Sequence, residues 1–197
     1  MVLGFPPSAP VREPGWRTWS SWILTAALFA CALAGVARAG EQEPGYALKA
    51  GYLAKFTPFV DWPEEAFETP GSPFRLCIGG RDPFGATIDR VAGALHVGDH
   101  PVSVIRLPTV AKGAGCHLLF LSASRQQTPQ QMLSMVAGKP VLTVADEELE
   151  APGAIVQFVI IDSRLRFSIR ADVAQAAGLT LSSKLLALSA QPREGGK

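Results

Sequence analysis

The stretch GGRDPFG, residues 79–85, follows an apolar run with two adjacent glycines and an Asp-Pro step. Such a turn can cradle a phosphate on backbone N–H groups at a helix N-terminus. A dinucleotide fingerprint, however, needs glycines at its first, third and sixth positions, and a P-loop needs a lysine directly after its last glycine. Neither pattern is present, and Asp82 would oppose an anion, so glycines that let the chain turn tightly are the better account. His96, His100 and His117 lack the i, i+4 spacing of a metal pair and have no acidic ligand set beside them. His117 reads instead as a partly buried strand residue. Ser122 and Ser124 end a strand, the ligand-bearing end of an open α/β sheet, but no nucleophile elbow surrounds them. The acidic run DEELE, Asp146–Glu150, lacks alternating ligand spacing and reads as a solvated loop. These residues argue against an enzyme, and neither a metal nor a cofactor is expected.

The cysteines lead further. Arg12 and Arg17 precede an apolar run from about Trp22 to Val36, and Ala37-Arg38-Ala39 supplies small residues for cleavage, so residues 1–39 read as a secretory signal peptide. The run is about fifteen residues, short of the roughly twenty that a membrane span needs, and no later segment replaces it. A rival reading makes Cys31 a lipidated N-terminus after Leu28-Phe29-Ala30. Against it, Phe29 is bulky and the apolar run continues past the cysteine. Loss of the leader removes Arg12, Arg17, Arg38 and Glu13 from totals of 18 basic and 17 acidic side chains, leaving the charge nearly balanced. That balance gives no reason to expect nucleic acid or an anionic membrane as partner. Cys77 and Cys116 then remain as an isolated pair in an oxidising compartment, where a bridge is commoner than two free thiols. Two buried thiols that never meet are the alternative.

The elements that position these residues follow from periodicity. Tyr52, Leu53, Phe56, Phe59 and Val60 mark one helical face, which Pro58 should kink or tighten before Trp62-Pro63. A strand over 74–78 should lead to a helix from about Pro83 to Ala94, with Asp82 as its cap. HPVSVIRL (100–107), CHLLFLSAS (116–124) and KPVLTVAD (139–146) read as further strands, with a helix from Thr128-Pro129 to Val136 ended by Gly138. AIVQFVI and RLRFSIR flank Ile161-Asp162-Ser163 as a hairpin. Ala171–Ala177 and the segment after Ser182-Ser183 give helical turns. The expected fold is a single three-layer α/β domain, a mostly parallel sheet flanked by helices with a C-terminal antiparallel hairpin. It should occupy residues 40–190, with a polar tail over 191–197.

In order along the chain, YLAKFTPFVDWP, FRLCIGG with its following Asp-Pro-Phe, CHLLFLSAS and the long terminal GAIVQFVIIDSRLRFSIRADVAQAAGLTLSSKLLAL resemble the YfiR family (DUF4154) over about Tyr46 to Ser189. The resemblance implies a periplasmic repressor, without catalytic activity, that binds the periplasmic sensor region of an inner-membrane diguanylate cyclase and holds down cyclic-di-GMP synthesis, with effects on biofilm and motility. It also implies a disulfide at the positions of Cys77 and Cys116. The second bridge of some relatives has no counterpart here, because VADEELEAPGAIVQF contains no cysteine. On RLRFSIR, Arg164, Arg166, Ser168 and Arg170 share one strand face, the candidate partner-binding residues, while Leu165, Phe167 and Ile169 share the other. In a different class, a periplasmic small-molecule-binding module would place its ligand near Gly79, Gly80, Ser122 and Asp146 at the strand ends. A homodimer through an exposed edge strand is a further expectation.

Overall fold

A computed structural model describes residues 44–190; the leader, Cys31 and the tail expected from residue 191 lie outside the described residues. Helix α1 (Pro44–Phe56) buries Ala50, Leu53 and Phe56, three residues apart, on one side. Pro58 offers no N–H to the helical ladder, and the chain tightens into a 3₁₀ turn over Thr57–Phe59. Val60 therefore leaves the helical face expected for it. It enters β1 (Val60–Asp61), which pairs antiparallel with β9 (Thr180–Leu181), a small sheet that periodicity does not announce.

The main sheet is built around β2 (Phe74–Gly79), with β4 (His100–Leu107) on one side and β5 (Leu118–Leu121) on the other, both parallel to it. Beyond β5 come β6 (Leu142–Ala145) and β7 (Val156–Ile161), also parallel, and then β8 (Arg164–Ile169), antiparallel to β7. The short β3 (His96–Val97) pairs antiparallel with β4, giving the order β3-β4-β2-β5-β6-β7-β8. Every residue of β5 and β6 is buried, as a strand covered on both faces requires. One face packs Leu76, Phe120 and Val144 against Leu53 and Phe56 of α1 and Ile88 of α2 (Ala86–Gly93). The other packs Cys77, Leu119 and Leu121 against Met132 and Leu133 of α3 (Pro129–Val136). This is the expected mixed α/β fold with its C-terminal hairpin.

Local chemistry explains the element ends. Thr128 and Gln131 form a reciprocal capping box at the start of α3. Helix α2 begins at Ala86, three residues later than the sequence suggests. Asp82 Oδ1 accepts the N–H groups of Phe84 at 2.7 Å and Gly85 at 3.2 Å, so it caps a turn rather than the helix. Gly85, at φ 50°, cannot continue a right-handed helix, and α2 starts only after it. The hairpin between β7 and β8 turns on Asp162 and Ser163, both at positive φ (50° and 57°), as a two-residue primed turn demands. Helices α4 (Ala171–Ala176) and α5 (Ser183–Leu188) complete the fold, and Ser182 Oγ accepts the Leu185 N–H at the start of α5.

Candidate functional site

Register fixes what the hairpin presents. Gln157 faces Ser168, Val159 faces Arg166 and Ile161 faces Arg164, and these pairs share one side of the ribbon. On the other side Phe158 and Phe167 are buried against Tyr52 and Phe56 of α1. Arg164, Arg166 and Arg170 are exposed, and none of them lies in an ion pair among the described residues. Ser168 is half-buried because Ala190 bridges to it in parallel, with the Ala190 N–H donating to the Phe167 carbonyl at 2.8 Å. Arg170 stands one residue past β8, at the N-cap of α4. Where the terminal segment meets the strand, a hollow of about 540 Å³ is lined by Ile161, Asp162, Arg164, Arg166 and Leu188–Ala190. Leu188 is 67% exposed there; Ile160, at 57%, lies on the opposite side of the ribbon, with Phe158. Apolar Ile161 and Leu188 beside the guanidinium groups of Arg164 and Arg166, neither of them in an ion pair among the described residues, are suited to binding a protein surface with carboxylates.

The strand ends carry the other residues singled out from sequence. Cys77 in β2 and Cys116, two residues before β5, form a disulfide with their Cα atoms 5.8 Å apart. Gly79, Gly80 and Ser122 come together: the Ser122 N–H donates to the Gly79 carbonyl and the Gly80 N–H to that of Leu107, both at 2.9 Å. A Cβ on Gly80, at φ 94°, would stand 2.7 Å from the Ser122 carbonyl oxygen. Ser122 and Ser124 border a hollow of about 340 Å³ with Arg125 and Gln127. Among the described residues no group of three or more His, Cys, Asp or Glu side chains is arranged to hold a metal, and no helix is long and apolar enough to cross a membrane.

Asp146 departs from the solvated loop expected for DEELE. It is 3% exposed, and Lys49 of α1 is equally buried beside it. Lys49 Nζ lies 2.5 Å from Asp146 Oδ1 and 2.5 Å from Glu147 Oε2, and 4.0 Å above the Tyr46 ring. The Tyr46 hydroxyl donates to Asp146 Oδ2 at 2.9 Å. Among the described residues Glu147 Oε2 has no hydrogen-bond partner and meets the ammonium by charge. Burial pushes the Asp146 carboxyl up, but hydrogen bonds from Glu147, Lys49 and Tyr46 outweigh it and hold it below its ordinary range. Glu147 is pushed up, first by burial and then by Asp146 beside it. Burial, followed by the same carboxylate, raises the Tyr46 hydroxyl. The sequence signal for Lys49 was its place beside Ala50 and four residues before Leu53, on the side of α1 that faces the core.

The model of the DUF4154 family, described as YfiR/HmsC-like, matches residues 46–190. The chain belongs to this family. No curated protein matches it. The YfiR/HmsC-like region runs from Tyr46, the first member of the buried charge cluster, to Ala190, which bridges to β8. It thus includes the disulfide, the hairpin and the hollow beside Leu188. In this member of the family the bridge between Cys77 and Cys116 joins the central strand to the approach of its neighbour.

Proposed function

We propose that the protein is a periplasmic regulator that binds the sensor region of an inner-membrane diguanylate cyclase and represses cyclic-di-GMP synthesis, without catalysing a reaction itself. Membership of the YfiR/HmsC-like family supports the regulatory class and the compartment. The observation that carries the binding role is the hairpin face, where Arg164 and Arg166 flank an apolar strip ending at exposed Leu188. Arg170 extends the basic rim. Repression requires tighter binding to the inactive than to the active state of the receptor, and moving a population from mostly one to mostly the other takes about 5.5 kcal/mol of differential affinity. A rigid strand face is suited to that discrimination because little ordering opposes binding.

The test is cellular cyclic-di-GMP in a deletion strain, with and without the gene restored in exported form. A rise on deletion that the exported protein reverses is expected. No change, in cells that express both this protein and a candidate cyclase, would overturn the reading.

A further inference from the structure

The segment from Trp62 to Pro73 crosses the sheet at the start of β2 as a strap, and His117 is the peg that holds it. The backbone N–H of Arg75 donates to His117 Nδ1 at 2.9 Å. An amide N–H cannot accept, so Nδ1 must carry a lone pair. The proton is then on Nε2, which donates to the Ala66 carbonyl of the strap at 2.9 Å. Stacking reinforces the bond: Phe67 of the strap lies between His100, 3.8 Å away, and His117, 4.5 Å away, and Phe74 stacks on His117 at 5.1 Å. The Trp62 indole donates to the His117 carbonyl at 3.2 Å. His100 Nδ1 meets the Ser72 carbonyl at 2.7 Å near the strap's other end.

Only the neutral Nε2–H tautomer satisfies both ring nitrogens. A second proton, on Nδ1, would set N–H against the N–H of Arg75. We propose that His117 is an acid-sensitive latch: a proton on Nδ1 costs the bond to Arg75 of β2, and because both nitrogens sit on one rigid ring, turning the ring off that N–H also takes Nε2 off the Ala66 carbonyl and releases the strap from the sheet. The surroundings favour this direction. Burial lowers the affinity of the held ring for a proton; Arg75 and His100 lower it further, while the Ala66 carbonyl and Glu68 offset part of the effect. Glu68 itself pairs with Arg75 at 3.4 Å. In the released strap the ring returns to an ordinary pKa near 6.5 and takes up its proton first. The held state is therefore favoured above about pH 6.5 and loses ground as pH falls towards the lowered pKa of the held ring. Pro63, Glu65 and Ala66 wall one side of a hollow of about 700 Å³ that reaches Cys116. Release opens that hollow towards the disulfide.

Amide hydrogen exchange in the full chain, corrected for intrinsic rates, tests the latch between pH 7.5 and 5. Protection of the Arg75 amide should fall below about pH 6.5, approaching tenfold per pH unit, while amides of β6 hold steady. The slope should vanish in His117→Gln, whose amide does not titrate, and persist in His100→Gln. Relative protection that stays constant with pH, an unchanged slope in His117→Gln, or a slope lost in His100→Gln would overturn the proposal. Should His117→Gln fail to fold, the imidazole nitrogen resonances of the unmutated protein decide: titration of His117 in step with the loss of Arg75 protection is expected, and titration without that loss refutes it.

Discussion

Replacing Lys49 by methionine removes the cation that faces two carboxylates in the cluster under α1. The lysine and Asp146 side chains are each 4% exposed and Glu147 is 23% exposed, so water cannot take over the lost contacts. Methionine fills much of the same volume, which leaves electrostatics as the main change. Breaking a buried pair by removing one partner costs about 3–5 kcal/mol. At roughly 2–4 °C per kcal/mol for a domain of this size, the melting temperature should fall by about 6–20 °C. The loss must also depend on pH with a definite sign. In the variant Asp146 keeps its bonds from Glu147 and Tyr46 but loses that from Lys49, while Glu147, already raised by burial and by Asp146, loses the ammonium that opposed the shift and is left with a folded-state pKa further above its unfolded one. Such a group is tolerated while protonated and destabilises the fold as pH rises beyond the unfolded value. Urea unfolding followed by circular dichroism should therefore give a larger deficit at pH 7.5 than at pH 4.5. Asp146→Asn added to Lys49→Met should restore part of the loss at pH 7.5. An equal deficit at both pH values, or one below about 1 kcal/mol, would refute the view that the cluster is an electrostatic tie between α1 and β6.

Three further outcomes are expected. Cys77→Ser opens a loop of sequence separation 39 and should lower stability by about 4 kcal/mol, as should reduction of the unmutated protein; matching melts with and without reductant would argue against the staple. Gly80→Ala places a methyl group against the Ser122 and Ala123 carbonyl oxygens at φ 94°, and a loss of about 1–3 kcal/mol should appear in urea unfolding, whereas a neutral result would mean that the strand ends can move apart. The double substitution Arg166→Glu, Arg170→Glu should weaken partner binding in a pull-down or titration with the cyclase sensor region while leaving the melt within about 1 kcal/mol, because both side chains are exposed; unaltered affinity would move the interface elsewhere.

The elements that sequence revealed were those whose local rules and tertiary roles agree. LLFL is an uninterrupted apolar run and LTVA is broken only by Thr143, and both became central strands; Thr128-Pro129 reads as a helix start and forms a full capping box. The alternation of RLRFSIR survives as exposed Arg164 and Arg166 against buried Phe167 and Ile169. What stayed hidden depends on partners distant in the chain. Nothing near Val60 announces its pairing with Leu181, and two-residue strands carry no period. DEELE reads as solvated because its charges look unpartnered locally, yet Lys49 lies 97 residues before Asp146 and buries it. His117 likewise becomes informative only when Ala66 and Arg75, from separate segments, meet its two ring nitrogens.

The latch and the proposed binding face are joined by a short physical route. The strap begins at Trp62, directly after β1, which pairs with β9, and the Ser182 N–H donates to the Phe59 carbonyl at 2.9 Å. Ser182 caps α5, and α5 ends at Leu188 beside Arg164 and Arg166. Release of the strap therefore loosens the segment that anchors one wall of the binding face, through pairing rather than through a long chain of side chains. With both proposals in force, affinity for the cyclase sensor region should fall between pH 7 and pH 5, and His117→Gln should bind with the same affinity at both. Arg166→Glu with Arg170→Glu should weaken binding at either pH without removing the pH response. A response that survives in His117→Gln would assign it to titration at the interface itself. A strap that releases in acid while affinity stays constant would show that β1 and β9 do not transmit the change, leaving each proposal to stand on its own test.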